Sequence, residues 1–241
     1  MFFSGQSLQV VGHRGWAARH PDNSAIGIGA AFGVVDMVEV DIRRCADGPL
    51  VLSHDPEIGG HVVADTPWDR LREVGLGEGQ RPVLLSEILR SFPDKAFNLE
   101  VKNSPFEPGF ESEFGLALET AELSRPGDLL SSFYWPTMDA VRASYPRVAT
   151  GLLLEDDIDL DAAIDHAIER GHAAVIPHWP MLDRAAGIGA IRRAHDAGIG
   201  VATWTVNDEA VANRLASAGV DAIITDDPGG LVAALGDQEQ R

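Results

Sequence analysis

Two imidazoles, one guanidinium and two carboxylates fall between Val11 and Asp55: His13 and Arg14 in Gly12-His13-Arg14-Gly15, Glu39 and Asp41 in Glu39-Val40-Asp41, and His54 in His54-Asp55. Glu39 and Asp41 stand two apart on an apolar run (Val38, Val40, Ile42). On a strand, residues two apart point to the same side, so the two carboxylates share one face and the apolar neighbours the other. Paired acids of this kind suit a hard divalent cation with oxygen ligands. Taken alone, the pair reads equally well as the solvated acidic face of an ordinary strand.

The following residues bring a third group into range. Asp47-Gly48 between two short apolar runs is a strong hairpin signal. With Asp47 and Gly48 as a two-residue turn, Ala46 faces Pro49, Arg43 faces Leu52 and Asp41 faces His54. A slip of one residue would turn His54 to the other side, so the inference depends on the register.

Together with Pro21-Asp22-Asn23-Ser24, Asn98-Leu99-Glu100-Val101-Lys102, Trp204-Thr205-Val206-Asn207 and Thr225-Asp226-Asp227-Pro228, these motifs resemble the glycerophosphodiester phosphodiesterase family. The resemblance runs in order along nearly the whole chain. It implies a metal held by Glu39, Asp41 and Glu100, Mg²⁺ or Ca²⁺, and contact of Lys102 with the substrate phosphate. Asp22 and Ser24 stand where family members commonly carry Glu and Thr. Arg44-Cys45-Ala46 replaces the usual residues before Asp-Gly, and residues 56–81 make a short insertion for the family.

The chain's 241 residues suffice for one large core, and α/β barrels commonly have this length as one domain. No linker, low-complexity run or charge block divides it, so residues 1–241 read as a single domain. The net charge of −18 argues against nucleic acid or an anionic membrane surface as partner, and the resemblance implies a small phosphodiester instead. That substrate is itself anionic, so positive charge must be supplied locally, by a metal with Arg14 and Lys102. Cys45 is the lone cysteine, which rules out an intrachain disulfide. Met1–Gln6 lacks a basic region and an apolar core, and no run approaches the roughly 18 apolar residues of a membrane span. A cytoplasmic protein is the plain expectation; nothing here sets the oligomeric state.

Positioning these groups falls to alternating strands and amphipathic helices. Strand ends are expected at His13, Asp41, Lys102, Phe133, Leu154, Pro177, Val206 and Thr225, with helices between them and the 50–55 strand as a hairpin extra. Eight such units imply a parallel (β/α)8 barrel, a TIM barrel, with its chemistry at the C-terminal ends of the strands. A doubly wound sheet is the second choice, disfavoured by the absence of a glycine fingerprint.

The site expected from these residues has His13 and His54 as an acid–base pair, because phosphodiester cleavage needs one proton removed and one delivered. His13 is assigned as base and His54 as acid. Arg14 offers a planar fork for phosphate oxygens. Lys102 contacts phosphate or, alternatively, pairs with Glu39 or Asp41. Trp204 walls the substrate or fills core, Asn23 or Ser24 caps the following helix, with holding the loop the other role open to Asn23, and His178 and Trp179 line the rim. Asp226 and Asp227 anchor the closing loop, and His20, His61, His166, His172 and His195 read as ordinary loop or helix residues. The implied reaction is hydrolysis to glycerol 3-phosphate and an alcohol. The rivals are a metal-dependent barrel lyase or aldolase and a catalytically inactive phosphodiester-binding barrel.

Overall fold

Apolar-rich runs of four to eight residues form the strands: β1 (Gln9–Gly12), β2 (Met37–Arg44), β3 (Leu50–Leu52), β4 (Glu57–Ile58), β5 (His61–Val62), β6 (Ala96–Val101), β7 (Leu129–Ser132), β8 (Ala149–Leu154), β9 (Ala174–Pro177), β10 (Gly200–Thr203) and β11 (Ala222–Thr225), the short β3, β4 and β5 excepted. Between them lie α1 (Ala25–Ala31), α2 (Trp68–Leu71), α3 (Leu85–Ser91), α4 (Gly115–Leu123), α5 (Trp135–Ser144), α6 (Leu160–Arg170), α7 (Ala185–Asp196), α8 (Glu209–Ala218) and α9 (Pro228–Gly236). The structure is a computed structural model describing Phe3 and residues 8–236. The Met1–Gln6 segment read above for a leader therefore lies, Phe3 apart, outside the described residues.

Among those residues the parallel strands run in the order β1-β11-β10-β9-β8-β7-β6-β2, and β1 pairs again with β2 to close the barrel. This is the expected (β/α)8 architecture. β3 adds antiparallel to the outer end of β2, and β4 with β5 makes a small separate hairpin within the 56–81 insertion. The two-residue strand period divides the core. Val38, Val40 and Ile42 of β2 pack outward against the helices, while Val11, Met37, Leu129, Leu153, Ile176, Ala202 and Ile224 fill the barrel. Glu39 and Asp41 face that same interior, above the apolar filling, and burial leaves each only 1 % exposed.

Helix ends are marked by local chemistry. Ser24 caps α1 by accepting from the Gly27 amide, and Asp159 and Asp208 cap α6 and α8 likewise. Gly15, at φ +93°, lets the His13-Arg14-Gly15 loop lie against α1. A Cβ there would stand 2.7 Å from the Gly27 and Ile28 backbone.

The hairpin departs from the expected register by one residue. Ile42 pairs with Leu52, Arg43 with Val51 and Arg44 with Leu50, and Asp41 therefore opposes Ser53, not His54. The turn has three residues: the Gly48 amide donates to the Cys45 carbonyl and the Cys45 amide to that of Pro49. Gly48 alone takes positive φ (+110°), as a type I turn with a glycine bulge requires. A two-residue turn would need positive φ at Asp47 as well.

Candidate active site

β2 and β6 form the acidic floor of the site. Their parallel register sets Asp41 beside Glu100 and Glu39 beside Asn98. One oxygen from each of Glu39, Asp41 and Glu100 lies within 4.8 Å of the others, and all three residues are buried. Each acid has different company. Asp41 Oδ1 is 3.0 Å from Lys102 Nζ, and its Oδ2 is 3.4 Å from Arg14 Nε and accepts from Asn23 Nδ2 at 2.9 Å. Burial pushes the Asp41 carboxyl up, but Lys102, Arg14 and Asn23 together outweigh it and hold it below the usual carboxylate range. Glu100 pairs with Lys102. Glu39 accepts only the Arg14 backbone amide (2.9 Å) on Oε2; among the described residues its buried Oε1 has no hydrogen-bond partner. Burial, Asp41 and Glu100 push the Glu39 carboxyl well above its ordinary value.

A buried carboxylate oxygen without a donor, on a residue clustered with two further acids, is expensive unless something positive fills the gap. Three oxygen donors with no cysteine or histidine among them fit a hard cation such as Mg²⁺ or Ca²⁺. Lys102 in this structure takes the alternative left open above, pairing with Asp41 and Glu100. The Cys45 thiol is buried and pushed up to about 12 by burial and Asp47, so it offers no nucleophile.

The loop after β1 supplies the cationic wall. Arg14 and Asn23 both adopt left-handed backbone (φ 51° and 55°), uncommon for residues other than glycine. That conformation aims the Arg14 amide at Glu39 and its guanidinium Nη1 at Asp22 (2.8 Å). Asn23 is not the helix cap. It instead clasps Asp41 from both sides, donating to the carboxylate and accepting from the Asp41 amide at 3.1 Å. Asp22 and Ser24, the two departures from the usual motif, hold Arg14 and cap α1.

His13 and His54 reach the site by different routes. His13 Nε2 stands 3.9 Å from Glu39, and its Nδ1 is 2.6 Å from Asp226 Oδ1. Asp226 is fixed in turn by Asn207 Nδ2 (2.6 Å). The His13 contact first, and Asn207 with it, hold the Asp226 carboxyl below its usual value. Only Asp227 serves the closing loop, through Trp16 and Gly230. The role of Asp226 was missed because 213 positions separate it from His13; the signal available was that Thr225 ends the strand that closes on β1. His54 lies past the end of the β3 ladder, so the slipped register does not remove it. The Arg43 guanidinium donates to the His54 carbonyl from Nε (3.1 Å) and Nη2 (2.7 Å), and His54 Nδ1 meets Asp55 at 2.8 Å.

Of these groups His13, Arg14, Glu39, His54, Glu100 and Lys102 line one cavity of about 130 Å³, together with Phe133, Leu153, Glu155, Trp204 and Ile224. Trp204 thus lies in the barrel mouth, its indole donating to the Ile176 carbonyl and its ring packed on Phe133 and His178 at 5.2 and 5.0 Å. His178 reaches this rim as expected. A larger cavity, about 840 Å³, opens around Gln9, Met37 and Ala96 at the opposite end of the barrel. Its only ionisable lining residue among those described is Asp36, so it lacks convergent chemistry.

A parallel barrel whose mouth joins three buried acids, two cations and two carboxylate-backed histidines belongs to the class of metal-assisted hydrolytic barrels. More narrowly, residues 13–230 match the glycerophosphoryl diester phosphodiesterase family, and the chain belongs to that family of enzymes. A glycerophosphodiester phosphodiesterase of Caldanaerobacter subterraneus is 26 % identical over 239 residues, covering 92 % of this chain and 96 % of the relative. One from Bacillus subtilis is 24 % identical over 248 residues, covering 92 % and 84 %. Among solved structures, an Oleispira antarctica phosphodiesterase in complex with the product sn-glycerol-3-phosphate shares the fold, with a TM-score of 0.83, 22 % identity and coverage of 95 % and 96 %.

Proposed function

We propose that this chain, as one catalytic domain, hydrolyses glycerophosphodiesters to glycerol 3-phosphate and an alcohol, with Glu39, Asp41 and Glu100 holding Mg²⁺ or Ca²⁺. The observation that carries the metal assignment is Glu39 Oε1, buried and without a hydrogen-bond partner among the described residues, on a carboxylate clustered with two more acids. When bound, the cation supplies Lewis-acid polarisation of the phosphoryl group and orients the glycerol hydroxyls. The family and its relatives support the substrate class. We also propose a cytoplasmic location.

The chain's own residues divide the remaining work. The hydrogen bond to Asp226 favours a proton on His13 Nδ1, which leaves the Nε2 lone pair facing the cavity as general base. His13 takes a proton from the attacking water; where a glycerol hydroxyl attacks instead, a cyclic phosphate forms first and a His13-activated water then opens it to glycerol 3-phosphate. As the new O–P bond forms and the P–O bond to the alcohol breaks, His54 delivers a proton to the leaving oxygen. Exposure agrees with the assignment, with the His13 side chain 16 % exposed and His54 at the mouth 41 % exposed. Arg14 and Lys102 stabilise negative charge on the phosphoryl oxygens, and Trp204 with Phe133 walls the organic part of the substrate.

The test is release of glycerol 3-phosphate from a panel of glycerophosphodiesters, in EDTA and with added Mg²⁺ or Ca²⁺. Turnover that appears with metal and vanishes in EDTA is expected. No cleavage with any metal would overturn the reading, and turnover of a 2-oxo acid instead would favour the lyase or aldolase.

A further inference from the structure

Two histidines read from the sequence as ordinary meet on the outside of the barrel. His166 lies on α6, and His172 follows the left-handed Gly171 that ends this helix. Asp139 faces both from α5. His166 Nε2 and His172 Nε2 each lie 3.0 Å from Asp139 Oδ1, and the three ligand atoms fall within 4.8 Å of one another. The imidazoles are stacked, with centroids 5.8 Å apart and planes 13° from parallel, and Trp135 covers His166 at 5.3 Å. His172 is fully buried at its side chain, and its other nitrogen, Nδ1, is 2.8 Å from Thr150 Oγ1.

We propose that Asp139, His166 and His172 form a zinc site on the outer wall of the barrel, separate from the catalytic metal. The donor set differs from that of the catalytic site: two imidazole nitrogens and one carboxylate suit zinc, and hard oxygen-seeking cations prefer the Glu39 cluster. The spacing also fits. Tetrahedral zinc with bonds of about 2.0–2.1 Å sets its ligand atoms roughly 3.3–3.4 Å apart, so the two 3.0 Å contacts to Asp139 need open by only a few tenths of an ångström, and the two imidazole nitrogens start within 4.8 Å of each other. Thr150 supplies the outer support a ligating histidine requires. With Nδ1–H donating to the hydroxyl, the Nε2 lone pair points at Asp139. The unfavourable charge nearby is Arg142, whose Nη1 is turned toward the carbonyls of Pro146 and Val148 at 2.7 and 3.3 Å.

The location gives the site its purpose. Thr150 is near the start of β8 and His172 just precedes β9, so the cluster lies toward the strand N-terminal ends, where barrel residues serve stability. Zinc there ties α5, α6 and the entry to β9 together without touching the substrate.

The experiment uses the full-length protein, dialysed against EDTA, with zinc binding measured by calorimetry and Co²⁺ substitution followed by visible absorption. Glu100→Gln weakens the catalytic site, so uptake there is separable from uptake at the new one. Expected is one zinc per chain in Glu100→Gln, an intense tetrahedral cobalt spectrum, and a rise in melting temperature with zinc. His166→Asn and Asp139→Asn should each weaken that uptake beyond the roughly 10–100-fold cost of losing an outer-shell partner, and leave Mg²⁺-supported phosphodiester hydrolysis unchanged. Undiminished uptake in His166→Asn, or none in Glu100→Gln, overturns the site and leaves a hydrogen-bonded Asp–His pair of purely structural role. Should either variant unfold, zinc-edge anomalous diffraction from zinc-soaked wild-type crystals decides, by a peak among the three side chains or its absence.

Discussion

Glu39→Gln and Asp41→Asn remove the same charge from the same strand, yet in metal-free protein they should move stability in opposite directions. At an effective dielectric constant near 20, two unit charges about 5 Å apart repel by roughly 3 kcal/mol. Among the described residues Glu39 has no Lys or Arg within salt-bridge reach, only His13 at 3.9 Å, and the carboxyl's raised pKa already relieves part of that repulsion through protonation. A glutamine keeps the acceptor for the Arg14 amide and turns an N–H toward Asp41 and Glu100, so a gain of about 1–2 kcal/mol is expected. For a domain of this size that is a rise in melting temperature of about 2–6 °C in EDTA. Asp41 is the opposite case. Its removal leaves Lys102, Arg14 and Asn23 short of their shared acceptor, a loss of about 3–5 kcal/mol and a fall of roughly 6–15 °C. The pH dependence carries a second signature. Because folding raises the Glu39 pKa, the folded chain holds this proton more tightly than the unfolded one. That contribution is fully present below the ordinary carboxylate value and is lost as pH rises through the raised one. Metal binding displaces the proton, so affinity should climb with pH across this window and flatten in Glu39→Gln. Differential scanning calorimetry in EDTA from pH 5 to 8 measures the stabilities. A Glu39→Gln protein less stable than wild type, or an Asp41→Asn protein more stable, would refute the electrostatic reasoning.

His54→Ala should lose about 10²–10⁴-fold in kcat on glycerophosphocholine and far less on an analogue with a nitrophenol leaving group, whereas His13→Ala should lose both about equally; steady-state rates on the two substrates decide, and rescue in His13→Ala alone reverses the assignment. Asp226→Asn should lower kcat with little change in KM, because it disturbs the proton on His13 Nδ1 and not substrate contacts; a pure KM effect would remove Asp226 from this role. Arg43→Met should reduce kcat by more than Gly48→Ala does, because Arg43 grips the His54 carbonyl, whereas an added Cβ at Gly48 meets no heavy atom within 4 Å and pays only for its positive φ. Equal activity in the two variants, at matched stability, would show that the hairpin and not the guanidinium places His54.

What the sequence made legible was local. The two-residue spacing of Glu39 with Asp41, and of Glu100 with Lys102, survives folding because the strand period is enforced by burial of the intervening Val40 and Val101. Turn length was not legible: Asp47-Gly48 suits a two-residue turn and a three-residue turn with a bulge, and the choice slides every facing pair by one. Asn23 and Ser24 were both plausible caps, and only the fold shows that the asparagine is needed across the barrel at Asp41. Pairings such as His13 with Asp226 or Asp139 with His172 join elements far apart in the chain, and no periodicity marks them.

The barrel's seams differ in length where they meet the site. β2 and β6 run in register from Met37 with Ala96 to Ile42 with Val101, whereas β1 joins β2 only at Val11 with Met37 and Gly12 with Val38. The acids therefore sit on a long ladder, and His13 and Arg14 hang just beyond a short one. Local opening draws on such differences. Amide hydrogen exchange should find the acidic half of the mouth slow and the His13–Asn23 edge fast. Breathing of that edge would then give the substrate its entrance while the acids beneath it hold still.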